Sequence, residues 1–251
     1  MKKISIIIPA YNDAARLERT LLRLREIKAR EYPELQVIAS VRPSHDGTEA
    51  VARELADLVV PGGMPSAGRN SGARAAAGDI LIFLDADTLP GHGVMKAIAA
   101  ACGPRVIGSC TAYSEERSPL AALTTLSINF LRWSGLIKGL SNLLFCDAGL
   151  FRAHGIGYDE RLSVGEHHDF IRRARARGYA FRYVRTSPGY AIDMERHRNW
   201  GYFPLMCFWF KWTLLHGVLR RPAKHLEAEY WNNCRRAAAP SAEPVYIAPA
   251  D

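Results

Sequence analysis

Two aspartates one residue apart, Asp85 and Asp87, end the apolar run Ile80-Leu81-Ile82-Phe83-Leu84. Side chains alternate along a strand, so if the extended geometry persists past Leu84 both carboxylates point the same way. Hard divalent ions such as Mg²⁺ or Mn²⁺ take oxygens from one or two carboxylates and complete their sphere with substrate phosphates. The pair is therefore a candidate metal site able to grip a diphosphate. An isolated pair of this kind also serves as a cap on the turn that follows it.

Three other clusters bear on that choice. In Ser66-Ala67-Gly68-Arg69-Asn70-Ser71-Gly72, Gly68 permits close backbone approach and Arg69 stands near an expected helix start, where N–H groups and a guanidinium make a diphosphate clamp. Pro9-Ala10-Tyr11-Asn12 follows the first apolar run and offers an aromatic ring to a nucleobase. Glu166-His167-His168-Asp169 packs two carboxylates and two imidazoles into four residues. Either a neutral His167 accepts a hydroxyl proton near neutral pH, or Glu166 does so with His167 orienting it. The plainer alternative is that the histidines pack at a helix start.

The elements expected to hold these residues alternate. Residues 4–8 are a β-branched run of the kind buried on both faces of a parallel sheet, and leucines at helical spacing follow over 13–30. Strands are expected at 35–40, 58–60 and 80–84, with helices at 47–58 and 66–77. This predicts an α/β fold: a Rossmann-like, mostly parallel sheet with helices on both faces, binding ligands beyond the C-terminal strand ends. After Pro104 the pattern loosens into a smaller subregion. It holds a short strand over 106–112, an apolar stretch over 120–145, strands at 146–152 and 180–184, and a basic helix over 169–177. The division is thus 1–104, 105–236 and a disordered Ala/Pro-rich tail, 237–251.

Taken in order, these motifs resemble an inverting, GT-A-type family 2 glycosyltransferase. The resemblance spans residues 4 to about 183. It implies that Pro9, Ala10, Tyr11, Asn12, Gly68, Arg69, Asn70, Asp85 and Ala86 build a nucleotide-sugar site. It also implies that Asp85 faces the ribose and Asp87 a Mn²⁺ or Mg²⁺ ion, with His197 as a third metal ligand. Asp147 to Arg152 and Tyr158 to Leu162 correspond to the acceptor side. Residues 164–174 resemble the loop whose carboxylates activate the acceptor, with His167 in place of the base aspartate and Asp169 in the second acidic position. Val41 stands where relatives carry a base-reading aspartate. The implied partners are a UDP- or GDP-sugar and a glycan or lipid acceptor.

Composition restricts the surroundings. A net charge of +8 and a pI near 9.4 favour phosphates or anionic head groups. Nucleic acid is not expected, because no recognition motif accompanies the charge. Five scattered cysteines without metal-ligand spacing fit a reducing, cytoplasmic location. The aromatic segment 200–218, interrupted by Pro204, Lys211 and His216, suits peripheral contact with the inner face of a membrane better than a span, and a core or dimer-packing helix equally well. Residues 120–145, carrying Arg132 and Lys138, would extend that face. Two rival functions are a nucleotidyltransferase, whose glycine-rich, lysine-bearing signature is missing, and a nucleotide-sugar-binding protein that has lost turnover. A nicotinamide-dependent enzyme would need GxGxxG after the first strand.

Overall fold

The structure, a computed structural model, describes residues 1–139 and 141–212 and the single positions 215, 226, 228 and 230. The expected tail, residues 237–251, and most of 213–236 lie outside the described residues.

The first half follows the expected alternation: β1 (Ile4–Ala10), α1 (Ala14–Arg30), β2 (Leu35–Val41), α2 (Thr48–Leu55), β3 (Leu58–Pro61), α3 (Pro65–Ala75) and β4 (Ile80–Leu84). A short β5 (Thr88–Pro90) and α4 (Val94–Ala101) come next, then β6 (Val106–Cys110), β7 (Ala112–Tyr113) and α5 (Pro119–Trp133). The remainder is β8 (Leu143–Asp147), α6 (Gly149–Arg152), α7 (Glu166–Ala176), β9 (Ala180–Val184), β10 (Tyr190–Ile192), α8 (Glu195–Trp200) and α9 (Tyr202–Trp212).

Seven strands form one sheet in the order β3-β2-β1-β4-β8-β6-β9. All neighbours are parallel except β8, which runs antiparallel to both β4 and β6. The sheet thus continues without a break across residue 104. Strand alternation divides the apolar side chains between two cores. Ile4, Ile6, Ile8, Ile80, Ile82 and Leu84 face Leu17, Leu21, Leu24 and Ile98 of α1 and α4. Ile7, Leu81 and Phe83 face Ala73 of α3 and Phe170, Ile171 and Ala174 of α7. Helices therefore cover both faces, as the sequence predicts. α3 lies close on β1 because a Cβ at Gly72 would overlap the Ile7 side chain.

The structure departs from expectation in three places. Residues 146–152 are not one strand: β8 ends at Asp147, whose Oδ1 accepts from Gly149 N, and a short helix begins. The strand expected over 106–112 is broken after Cys110 into two, and β7 joins β5 and β10 in a separate sheet of order β5-β10-β7. The basic helix expected over 169–177 begins earlier, at Glu166. Asp46 joins two helix starts, accepting from Thr48 N at 3.1 Å and, on its other oxygen, from Ala14 N at 2.9 Å.

Candidate active site

The carboxylate pair is set by a turn, not by the pleat. β4 stops at Leu84, the chain turns through Ala86 and Asp87, and Thr88 N donates to Asp85 O at 3.1 Å before β5 begins. The two side chains consequently have different surroundings. Asp85 is tied on both oxygens, by Arg69 Nη2 at 2.7 Å and by Asn142 Nδ2 at 3.1 Å. Among the described residues, Asp87 accepts only a 3.3 Å hydrogen bond, from Thr88 Oγ1. Burial and then the Asp85 charge raise the Asp87 carboxyl to about 6, against the pull of Arg196 and Arg16. Asp85 is raised too, by burial and by Glu166, although Arg69 opposes this.

Such a pair suits a divalent ion. It offers hard oxygens, and one carboxylate is weakly partnered and made costly to ionise by its neighbour. Among the described residues no three His, Cys, Asp or Glu side chains gather closely enough to hold an ion by themselves. The protein would thus provide two ligands and leave the rest of the sphere to phosphate oxygens, the usual arrangement for Mg²⁺-type sites. His197 lies elsewhere in its surroundings. Its ring is 5.5 Å from that of Tyr202, and burial and then Arg196 lower it to about 4, with Glu116 opposing.

Arg69 joins the distant motifs. It is 3 % exposed in the second turn of α3, not at the helix start. Nη2 pairs with Asp85 at 2.7 Å, and Nη1 pairs with Glu166 at 2.8 Å. Burial alone would lower its pKa, but the Asp85 and Glu166 charges raise it above the ordinary arginine value. Its fork is therefore already engaged by carboxylates rather than open to a diphosphate. Gly68 likewise makes its close approach to Pro9 of the protein itself, at 3.1 Å from a Cβ built there. Asn70 clamps the backbone: Nδ2 donates to Tyr158 O and Glu160 Oε1, both at 2.9 Å, and Tyr158 N donates to Asn70 Oδ1 at 2.7 Å.

At the start of α7 the four polar residues separate into different roles. His167 is buried, its Nδ1 3.0 Å from Tyr158 Oη. Burial, then Arg69, His168 and Arg132 push it well below the ordinary histidine value, so the neutral ring is a poor proton acceptor. Asp169 has both oxygens taken by its own helix, Arg172 and Arg173 each at 2.6 Å. Glu166, with a side chain 15 % exposed, holds one oxygen on Arg69. His167 Nε2 lies 3.9 Å from that oxygen. Gly165, just before the helix, has φ of 74°, and a Cβ there would overlap the ring of Trp212.

The loop after β1 is locked to the loop after β2. Asn12, at φ of 45°, accepts from His45 N at 3.1 Å, and its own N donates to Ser44 Oγ at 3.2 Å. Ala10 O accepts from Arg42 N at 3.1 Å. Val41 is buried, and Ala86 O accepts from Thr20 Oγ1 at 2.7 Å, so neither of these two side chains offers a polar group. The guanidinium of Arg42 lies 4.4 Å over the Tyr11 ring. Reading the sequence did not single out Arg42, although it immediately follows the unusual Val41. It also missed Asn142, whose only signal is being an amide in an apolar stretch, and it placed Tyr158 on the acceptor side without its contact to His167. A cavity of about 290 Å³ opens beside Asp87, lined by Arg16, Arg19, Ser114, Glu116, Asp193 and Arg198 among others. Its arginines are ion-paired: Arg16 with Asp13, Asp193 and Glu195, Arg19 with Glu115, and Arg198 with Glu116.

Comparison with known proteins places this geometry in context. Residues 5–154 match the model for glycosyl transferase family 2. The chain is 36% identical over 141 residues to a validoxylamine A glucosyltransferase of Streptomyces hygroscopicus subsp. jinggangensis, covering 51% of this chain and 33% of that one. The chain thus spans about a third of the length of such curated relatives. Among solved structures, the fold is similar to a mannosyltransferase from Pyrobaculum calidifontis in complex with GDP-Man and Mn²⁺. The TM-score is 0.55 at 22% identity, over 74% of this chain and 56% of that one. It is similar as well to glucosyl-3-phosphoglycerate synthase from Mycobacterium tuberculosis in complex with Mn²⁺, UDP and phosphoglyceric acid. There the TM-score is 0.53 at 18% identity, over 73% and 68% of the two chains. The GT-A fold is shared with both.

Proposed function

Since the chain belongs to glycosyl transferase family 2, we propose that it moves a sugar from a nucleoside diphosphate to an acceptor hydroxyl, with inversion at the anomeric carbon. One observation carries the reading: a single buried guanidinium binds both a carboxylate of the Asp85/Asp87 pair and Glu166. The diphosphate end of a donor and the hydroxyl of an acceptor would meet across that bridge. Support for the donor class comes from the relatives, which are glycosyltransferases and fold neighbours bound to GDP-Man or UDP.

In this mechanism Glu166 takes the acceptor proton, the freed oxygen attacks the anomeric carbon, and the bond from that carbon to the diphosphate oxygen breaks. The leaving group departs as the nucleoside diphosphate, carrying the electron pair. Arg69 fixes Glu166 and Asp85 in mutual register. Asp87, with Asp85 beside it, would hold the Mn²⁺ or Mg²⁺ that brings positive charge to the diphosphate. Asp169 keeps α7 in place through its arginines, and His167 supports Glu166 from the Tyr158 side. The acceptor is a hydroxyl of a glycan or a lipid, and the cytoplasm is the compartment that suits both free thiols and nucleotide sugars.

Asp87→Ala is expected to abolish Mn²⁺-dependent transfer and donor hydrolysis while the melting curve of the metal-free protein stays cooperative. In the wild type, stabilisation by Mn²⁺ should fade as pH falls through about 6, because a proton then competes for the Asp87 carboxylate. Unchanged turnover in the variant removes the metal role.

The base is the second point on which the site speaks. A carboxylate accepts from a base N–H, whereas Arg42 can only donate, and a guanidinium fits the O6/N7 edge of guanine with two parallel bonds. GDP-sugars should therefore stabilise the protein more than UDP-sugars in thermal melts. Arg42→Ala should narrow the difference by roughly tenfold in affinity, in line with about 1–3 kcal/mol for a bidentate contact. Equal response to both nucleotides in the wild type would contradict this assignment.

A second reading rests on Val41 and His167 standing where the family resemblance implies aspartates: a protein that binds a nucleotide sugar without transferring it. Donor binding with no hydrolysis and no transfer across many acceptors would favour that reading.

A further inference from the structure

Twelve large apolar side chains are exposed among the described residues, and nine of them lie on α5, the turn after it, and α9. Leu120, Leu123, Leu126, Phe130 and Trp133 recur at intervals of three and four, which places them along one face of α5, and Leu136 extends the row. On α9, Leu205, Phe208 and Trp212 are buried while Phe203, Met206 and Phe210 form the outward face. The protein's core cannot use either ridge.

The two helices are tied to each other near both ends. At their starts, Tyr202 Oη donates to Glu116 Oε1 at 3.1 Å, linking α9 to the segment that leads into α5. Beyond their ends, a Cβ at Gly139 would meet the ring of His168, which is itself 5.0 Å from the ring of Trp212. The segment before α5 thus meets the start of α9, and the loop after α5 reaches the end of α9 through His168, two residues from Glu166.

Charge selects among possible occupants. No Asp or Glu occurs between Arg117 and Cys146, where Arg117 is an exposed cation and Lys138 a half-buried one, while Arg132 is buried against Cys110 O. None occurs between Arg196 and Trp212 either, where Lys211 is the exposed cation of α9, Arg198 being paired with Glu116 and Arg196 acting on Asp87. Arg185 adds a guanidinium 5.5 Å over the Trp133 ring. A second copy meeting this face would set cations against cations, whereas anionic head groups neutralise them. Among the described residues no helix is long and apolar enough to cross a membrane.

We propose that α5 and α9 together form a docking face for an anionic lipid bilayer, both helices lying in its interface with Trp133, Phe203 and Phe210 inserted. The docking does not depend on the sugar-transfer reading. If that reading holds as well, the same face carries the site of Glu166 to acceptors displayed at a lipid surface.

Flotation of the full chain with vesicles tests the proposal. Wild type should bind vesicles of phosphatidylcholine mixed with phosphatidylglycerol, bind pure phosphatidylcholine far more weakly, and lose binding as salt rises. Leu126→Gln/Phe130→Gln/Trp133→Gln on α5 and, separately, Phe203→Gln/Phe210→Gln on α9 should each weaken binding roughly tenfold or more. Leu22→Gln, an exposed leucine on α1, should leave it unchanged. All the substitutions replace exposed side chains, and thermal melts verify folding, so a failure of one set leaves the other to decide. Absence of binding, equal binding to both vesicle types, or binding indifferent to both variants overturns the proposal. So does a dimer that ignores vesicles and is split by the α5 variant in analytical ultracentrifugation.

Discussion

Replacing Arg69 by alanine is expected to eliminate turnover and to remove about 3–5 kcal/mol of stability, the largest effect of any single substitution in the site. Its guanidinium is almost fully buried and neutralises two carboxylates on different elements. Without it, Asp85 and Glu166 face each other across a site of low polarity with no cation between them, and each would have to protonate or withdraw. Urea unfolding measures the first loss, and donor consumption with Mn²⁺ measures the second, expected at about 10³-fold or more. Arg69→Lys should recover part of the folding and little of the activity, because one ammonium cannot present two donors in a fixed fork. An alanine variant as stable as wild type would show that the bridge carries no weight.

The second large effect separates the two candidate bases. Glu166→Gln should lower kcat by about 10²–10⁴, the usual contribution of a positioned base. Stability should change by less than about 1 kcal/mol, since the amide oxygen still accepts from Arg69. His167→Ala should show the converse. Tyr158 Oη loses its partner in the interior and a small cavity opens, costing about 1–3 kcal/mol, while transfer falls by no more than roughly tenfold. Steady-state transfer and denaturant melts on the two variants decide the matter. If His167→Ala loses turnover while keeping its stability, the imidazole is the base.

The parts of this architecture that were readable in advance are those written in local periodicity. Ile4 to Ile8 and Ile80 to Leu84 alternate between two cores, and apolar runs of that length, interrupted only by Ser5, admit little besides central strands. The helix carrying Arg69 could likewise be placed from spacing, whereas α7 begins at Glu166, ahead of the helix expected over 169–177, and the Asp85/Asp87 pair stands on a turn instead of a continued strand. What could not be read is set by contacts distant along the chain. Nothing near Arg69 announces that its partners are Asp85 and Glu166, so it looked like a phosphate clamp when it is a bridge. Gly68 looked like room for a ligand, and Pro9 fills that room. Asp169 resembled a catalytic acid until the two arginines one turn on were seen to occupy it. The antiparallel insertion of β8 between β4 and β6 has no local signature at all, because a buried strand reads the same in either direction.

Position 165 is closed to side chains twice over, by a left-handed backbone and by an indole that already fills the volume. The peptide bond that seats Glu166 is thus wedged from outside its own helix, by the last residue of α9. During synthesis, every motif of the site has left the ribosome well before Trp212 does, yet the carboxylate has no final seat until that residue arrives. A chain stopped after α8 would carry the whole set of candidate site residues and lack the stop against which Glu166 is set.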